Sequence, residues 1–174
     1  MTYLALALWS ALLAAAGPVT PSPALGKAEA ACRPKEAGPA LVVHVVGLKD
    51  RKGLVRAEVY PANDADFLQD DAILINQGKT FRRVDLELPP SGPVTLCIRV
   101  PSAGRYSLSV LHDRNRNLKW DKFPDGLGFG GNPKLGWSKP KAASASVSAG
   151  ATPTRVEVVM NYLRGLNYRP LERP

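Results

Sequence analysis

Apolar and polar residues alternate along most of this chain with the two-residue period of β-strands. Val55, Ala57 and Val59, for example, alternate with charged side chains within residues 54–60. Turns rich in Gly, Pro and Asp separate such segments, and no stretch shows the 3.6-residue period of a long helix. The pattern predicts strands at residues 41–48, 54–60, 81–88, 94–100, 106–112, 143–147 and 156–162.

Short strands without long helices predict an all-β fold, an antiparallel Greek-key β-sandwich of about seven strands with one long loop after residue 112. Residues 41–48 and 54–60 are expected to pair as a hairpin, because only a turn of about five residues separates them. Segment 61–80 is expected to be a loop with one short helical turn. The predicted sandwich domain covers residues 41–163, with a linker at 31–40 before it and a tail at 164–174 after it.

The amino terminus carries an apolar run at residues 3–17, which has the size of a signal-peptide core and is too short to span a membrane. A Pro- and Ala-rich stretch follows and ends in Ala28-Glu29-Ala30, which suits a signal peptidase. Residues 1–30 are therefore predicted to be a signal peptide. No Lys or Arg precedes the apolar run, however, and the distance from that run to Ala30 is long.

An uncleaved anchor and a misplaced start codon are the alternative interpretations of this terminus, and lipidation of Cys32 is a third. The main prediction is an exported protein, periplasmic or extracellular, with no transmembrane segment in the mature chain. Such a compartment is oxidising, and the chain has two cysteines, which favours a disulfide between Cys32 and Cys97. Cys97 shares a strand face with Thr95 and Arg99, away from the core. The bond is therefore expected to lay the amino-terminal segment across the outside of a sheet.

The chain carries a net charge of +8, from 23 basic and 15 acidic residues. Such a balance indicates anionic partners. No nucleic-acid-binding motif accompanies the charge, and an exported chain seldom meets nucleic acid, so nucleic acid is not an expected partner. An anionic cell-envelope polymer or glycan is expected, with a merely solvated basic surface as the alternative.

Residues 112–121, with the sequence HDRNRNLKWD, open the longest stretch without predicted regular structure. Oxygen-bearing side chains recur there at positions 1, 3, 5 and 9 of a calcium-type loop. Two features differ from that pattern, because Leu118 stands where Gly is usual and Pro124 where Glu is usual. The expected calcium ligands are Asp113, Asn115, Asn117, Lys119 through its backbone carbonyl, Asp121 and Asp125.

Other interpretations of the same loop remain open. Its Asp and Asn side chains also suit Asx-turns that accept hydrogen bonds from backbone amides without any metal. A different metal held by His112 is another alternative. His112 and Asp113 also suggest a metal-assisted hydrolase, but no nucleophile of suitable context accompanies them, and the chain is not expected to be an enzyme.

Aromatic residues lie beyond the predicted ligands in a Gly- and Lys-rich sequence. They are candidates for a surface that binds sugar rings or an anionic glycan, and equally for a small core that holds the loop together. The residues concerned are Trp120, Phe123, Phe129 and Trp137.

Three segments, LVVHVVGLKDRKGLVRAEVY, PSAGRYSLSVLHD and HDRNRNLKWDKFPDGLGFGGN, resemble the bacterial domain-of-unknown-function family 2141. The resemblance covers residues 41–162, and the motif His-Asp-x-Asn-x-Asn followed by Asp, a Pro-Asp-Gly turn and Gly-Phe carries it. It departs from the family at Leu118, at Asp125-Gly126 and at the inserted Leu127. The resemblance implies an exported β-sandwich similar to transthyretin-like and carboxypeptidase-regulatory domains, and no established activity.

Overall fold

The computed structural model describes residues 17–171, and most of its regular structure is β-strand. The strands are β1 (Ala40–Val46), β2 (Leu54–Pro61), β3 (Arg82–Glu87), β4 (Val94–Arg99), β5 (Gly104–Asp113), β6 (Gly126–Phe129), β7 (Ser146–Ala149), β8 (Thr154–Val159), β9 (Asn161–Arg164) and β10 (Asn167–Pro170). The helices are short: α1 (Lys27–Ala30), α2 (Asp71–Asn76) and a 3-10 turn at Ala142–Ala145. The predicted all-β class is confirmed, and α2 is the helical turn expected within segment 61–80.

The strands form two sheets that face each other as a sandwich. The smaller sheet has the order β4-β1-β8, and the larger has the order β10-β9-β6-β5-β2-β3, with β7 beside the first half of β5. All pairs are antiparallel except β1 and β8, which run parallel. The predicted fully antiparallel arrangement therefore has one exception, and the described residues contain ten strands, three more than expected.

The predicted hairpin of the first two strands is wrong, because β1 lies in the smaller sheet and β2 in the larger. Their short connection crosses between the sheets, and Gly47 and Gly53 adopt positive φ angles of 73° and 78° there. A Cβ on Gly53 would lie 1.9 Å from the backbone oxygen of Asp113, so only glycine fits. A two-residue period fixes which face a strand buries but not its partner, so the sequence is compatible with both arrangements.

The carboxyl-terminal part also differs from the prediction. The single strand expected at residues 156–162 is divided at Met160, and its halves β8 and β9 lie in different sheets. The segment expected to be a tail continues as a hairpin, because β10 pairs with β9 from Asn167↔Arg164 to Pro170↔Asn161. Residues 143–147, expected to be a weak strand, form the end of a 3-10 turn and the start of β7.

The main core lies between the sheets and is made by the inward positions of the predicted strands. Tyr106, Leu108, Val110 and His112 all point inward from β5, as their alternation predicts. Further buried members come from the other strands: Leu41, Val43, Val55, Ala57, Val59, Leu96, Ile98, Val158, Met160 and Tyr162. Burial of this much apolar surface is the main force that holds the two sheets together.

A second apolar cluster covers the opposite face of the larger sheet. Tyr60 and Phe129 project from β2 and β6 on that side, and the segments that flank α2 and the 3-10 turn fold over them. The remaining buried members are Phe67, Leu74, Phe81, Ala142 and Ala145. The larger sheet is therefore covered on both faces, and its outer face is not the solvated surface that alternating charges suggest.

The predicted Cys32–Cys97 disulfide is confirmed. Cys97 faces away from the core, as expected, but the amino-terminal segment does not cross the outside of the sheet. Ala31 instead pairs with Ile98 along the free edge of β4, and Ala30 is fully buried. The first part of the predicted signal peptide, residues 1–16, lies outside the described residues.

Within residues 17–171, no helix has the length and hydropathy that crossing a membrane requires.

Candidate functional site

Every predicted calcium ligand lies between the last residue of β5 and the residue before β6. Asp113, at the end of β5, is fully buried, and one of its carboxylate oxygens accepts the backbone N–H of Leu118 at 2.8 Å. Its other oxygen, Oδ1, is buried without a hydrogen-bond partner among the described residues. Asp125 is 1% exposed and accepts the N–H groups of Arg114 and Asp121, at 3.0 and 2.9 Å. Two buried carboxylates thus close the base of the loop.

The exposed part of the loop is organised around Asp121. One oxygen of Asp121 accepts the side-chain amides of both Asn115 and Asn117, each at 2.7 Å. The carbonyl oxygens of those two amides accept N–H groups two residues further on, those of Asn117 and Lys119. These contacts are the Asx-turns that the sequence offered as an alternative to metal binding.

The six predicted ligands therefore lie close together in the chain, but each of the five ligand side chains accepts at least one hydrogen bond in this structure. Residues 17–171 hold no group of three or more His, Cys, Asp or Glu side chains arranged to bind a metal ion. The expected set has three carboxylates, two amides and one backbone carbonyl, and hard cations such as calcium accept all three types of oxygen.

His112 does not belong to this loop, although it precedes Asp113. Its side chain is fully buried inside the sandwich, with Nδ1 2.6 Å from the Tyr162 hydroxyl and Nε2 2.8 Å from the carbonyl oxygen of Lys52. Because a carbonyl only accepts, Nε2 carries the proton and donates it, and Nδ1 accepts from Tyr162. Burial holds the pKa of His112 below its usual value. Both ring nitrogens are therefore engaged, and burial favours the neutral imidazole.

A cavity of about 430 Å³ opens beside this loop, on the outer side of the larger sheet. Trp120 and Trp137 line it and remain 48% and 62% exposed. Tyr168 of β10 joins them, and its ring centroid lies 6.3 Å from that of Trp120 and 6.4 Å from that of Trp137. The volume lies within the range of small-molecule binding sites, about 300–1,000 Å³.

Charged residues of the outer face also line this cavity. Arg56 is 5% exposed and makes two hydrogen bonds with Asp85, and Arg83 pairs with Glu58 at 2.7 Å. Arg56 also donates to the carbonyl of Leu118 at 3.0 Å, which ties the loop to β2. The positive charges of Arg56 and Arg83 at the bottom of the cavity are therefore neutralised by carboxylates.

Two lysines supply positive charge around the aromatic residues. Lys122 places its Nζ 4.5 Å from the ring centroid of Trp137. Lys139 lines the cavity, and its Nζ donates to the backbone carbonyls of Asp64 and Phe67, both at 3.0 Å. Neither ammonium group has a carboxylate of residues 17–171 within ion-pair distance. Lys139 therefore brings a positive charge to the wall of the cavity, and Lys122 brings a second one to Trp137 without lining the cavity itself.

The four predicted aromatic residues have different positions. Trp120 and Trp137 line the cavity, and so does Phe129, which is 4% exposed and belongs to the second apolar cluster. Phe123 is 69% exposed and lies outside the cavity. Sequence reasoning missed Tyr168, because a four-residue strand is too short to show a period. It also missed the buried Arg56 and Arg83, since alternating charges usually mark a solvated face.

Fold and site together define an all-β sandwich with an aromatic cavity on the outer face of one sheet. The chain belongs to the DUF2141 family, whose model matches residues 43–157. The family is described as "Uncharacterized protein conserved in bacteria". The family resemblance of the three sequence segments is thereby confirmed. No curated protein and no solved structure matches the chain.

Proposed function

We propose that this protein is an exported, non-enzymatic binding module of the cell envelope whose cavity holds an anionic glycan. The observation that carries the proposal is the aromatic trio of Trp120, Tyr168 and Trp137 at the cavity, with two indole rings about half exposed. Indole faces pack against the C–H faces of a sugar ring and leave the sugar hydroxyls free for hydrogen bonds. Export is supported by the Cys32–Cys97 disulfide, because such bonds persist in oxidising compartments.

The charge of the cavity supports an anionic ligand over a neutral one. Lys122 lies over the ring of Trp137 and Lys139 lines the cavity, whereas Arg56 and Arg83 are already paired with carboxylates. The whole chain adds to the attraction through its net charge of +8. A carboxylate-bearing sugar, such as a uronic acid, would place its ring on an indole face and its charge near a lysine.

A binding role is supported over the metal-assisted hydrolase centred on His112 and Asp113. A hydrolase would need both groups to converge on a substrate in an open site. His112 lies inside the sandwich with both nitrogens engaged, and Asp113 is fully buried beneath the loop. Neither of these side chains lines the aromatic cavity.

The test is calorimetric titration of the protein with a short oligogalacturonate and, separately, with a neutral maltooligosaccharide of equal length. We expect binding of the uronic-acid oligomer that weakens as salt rises, because screening reduces the contribution of the lysines. Trp137→Ala should weaken this binding at least tenfold, since the indole face would be lost.

Phe123→Ala is the matched control. Phe123 is as exposed as Trp137 but lies outside the cavity, so its removal should leave the affinity unchanged. Binding of neither oligosaccharide, or equal weakening by the two variants, would contradict a glycan site at this cavity.

We also propose that calcium stabilises the loop at residues 113–125. Asp113 and Asp125 are buried carboxylates, and neither has an ion-pair partner among the described residues. A buried charge is costly unless it is compensated, and the unpartnered Oδ1 of Asp113 offers a ligand atom. The amides of Asn115 and Asn117 would turn their oxygens toward the cation to complete its shell. Because the loop also carries Trp120, calcium would steady one wall of the cavity.

A further inference from the structure

The segment at residues 18–32 is packed against the sandwich along its whole length. At its start, Asn76 of α2 makes two hydrogen bonds with the backbone of Val19: its Oδ1 accepts the N–H at 2.7 Å, and its Nδ2 donates to the carbonyl at 2.8 Å. Further on, Arg83 of β3 donates from its guanidinium to the carbonyl of Ser22 at 3.3 Å. These contacts fix the first half of the segment against α2 and β3.

The middle of the segment is fitted closely to β3. The backbone N–H of Arg83 donates to the carbonyl of Gly26 at 3.2 Å, on the edge of β3 that faces away from β2. Gly26 has a positive φ of 72°, and a Cβ there would lie 2.9 Å from the ring of Phe81. Lys27 follows and forms an ion pair with Asp85 at 2.8 Å. The segment thus covers the edge of the larger sheet and one side of a buried aromatic residue.

The end of the segment belongs to the main core. Ala30 is fully buried within the cluster between the sheets, and Ala31 pairs with Ile98 on the edge of β4. Cys32 then forms the disulfide with Cys97. Residues 18–32 therefore connect the edges of both sheets, with an apolar contact, backbone hydrogen bonds and one covalent bond.

Cleavage after Ala30 would remove residues 1–30, and the sandwich would lose the contacts that residues 19–30 make with α2, β3 and the main core. The buried backbone N–H of Arg83 would lose its acceptor, Asp85 would lose Lys27, and a methyl-sized gap would open at Ala30. A buried donor without an acceptor and a gap in the core both destabilise the folded state. Cleavage at Ala28-Glu29-Ala30 would thus remove residues 18–30, which belong to the folded domain.

We propose that the leader ends earlier, at Ala14-Ala15-Ala16, and that the mature chain starts at Gly17 and keeps residues 18–32 as a strap across both sheet edges. The inference rests on the proposed export. Small residues at Ala14 and Ala16 supply the two positions that a signal peptidase reads, directly after the leucine-rich part of the apolar run, residues 4–13. The earlier site also removes the unusually long distance between the apolar run and the cleavage point.

Intact-mass analysis of the periplasmic and cytoplasmic fractions, after expression of the full chain in a bacterial host, tests the proposal. We expect a periplasmic protein that begins within one residue of Gly17. A periplasmic protein that begins at Ala31 would overturn the inference and leave export intact. A cytoplasmic chain that keeps its original amino terminus would overturn the proposed export, and the inference with it.

Two variants locate the cleavage site independently of the mass. The double substitution Ala14→Leu with Ala16→Leu should block processing, so that the precursor accumulates. Ala28→Leu removes a small residue from the downstream site, and because Ala28 is exposed the fold tolerates it. It should leave processing unchanged. Blocked processing in Ala28→Leu, with normal processing in the double variant, would refute the upstream site.

Discussion

The hydroxyl of Tyr162 lies 2.6 Å from Nδ1 of His112, and this contact is the middle of a hydrogen-bonded chain inside the sandwich. The N–H of Lys49 donates to the Tyr162 oxygen at 3.0 Å, Tyr162 donates to His112, and His112 donates to the carbonyl of Lys52 at 2.8 Å. These hydrogen bonds tie the connection between β1 and β2 to His112 of β5 and to Tyr162 of β9. His112 is therefore a structural residue that holds the loop between β1 and β2 in place.

Tyr162→Phe should lower the free energy of unfolding by about 1–3 kcal/mol, because it leaves the Lys49 N–H and His112 Nδ1 without partners. Urea unfolding followed by tryptophan fluorescence measures the change. Tyr106→Phe is the control: the Tyr106 hydroxyl donates to the carbonyl of the exposed Ser102 at 3.0 Å, where water replaces it. An equal loss in both variants would show that the buried chain adds nothing beyond a surface hydrogen bond.

The disulfide should account for a large part of the stability of the protein. Cys32 and Cys97 are 65 residues apart, and closure of such a loop is worth about 4 kcal/mol in the chain-entropy model. Replacement of both cysteines by serine should lower the free energy of unfolding by up to that amount, and reductant should have the same effect on the unaltered protein. Two thiols open to alkylation in the non-reduced native protein would contradict the bond.

The strands could be predicted from the sequence, and most of their pairing could not. Alternation identified the inward residues of β5 and β8 correctly, because burial of one strand face leaves a two-residue period. It did not distinguish a hairpin of β1 and β2 from a crossing between sheets, because both bury the same residues. The crossing depends on Gly47 and Gly53, whose positive φ angles suit either kind of turn.

The candidate site was predicted in the same partial way. The oxygen-bearing side chains of residues 113–125 lie in one loop, as their spacing indicates, and Trp120 and Trp137 share a cavity. Arg56 and Arg83 were not predicted to be buried, because their burial depends on the outer layer, whose segments come from distant parts of the chain. A strand pattern contains no information about such a cover.

Tyr168 offers a way to distinguish a ligand contact from a structural one. Its ring is 9% exposed, and its buried hydroxyl has no hydrogen-bond partner in the described part of the chain. Tyr168→Phe removes a polar group that is not satisfied, so the stability of the ligand-free protein should remain the same or rise slightly. If a glycan hydroxyl or its water supplies the missing partner, affinity for oligogalacturonate should fall about tenfold. Unchanged affinity would exclude Tyr168 as a polar contact.

The calcium proposal predicts a stability that depends on free calcium. Arg114, Arg116 and Lys119 lie among the proposed ligands and reduce the local negative charge, so the dissociation constant should lie at the weak end, on the order of 10⁻⁴ to 10⁻³ M. A ligand that binds only the folded state stabilises it by about 2.7 kcal/mol at a hundredfold excess over the dissociation constant. The melting midpoint should therefore rise between chelator and millimolar calcium.

Variants of Asp113 make the calcium test specific to the loop. Asp113→Ala removes both carboxylate oxygens and should abolish the rise in melting midpoint. Asp113→Asn keeps an acceptor for the Leu118 N–H and should abolish it too, at a smaller cost to the fold. Glu157→Gln, which replaces an exposed carboxylate of β8 in the smaller sheet, is the control that keeps the full response. A melting midpoint that stays constant up to about 10 mM calcium, far above the expected dissociation constant, would leave Asx-turns as the role of these residues.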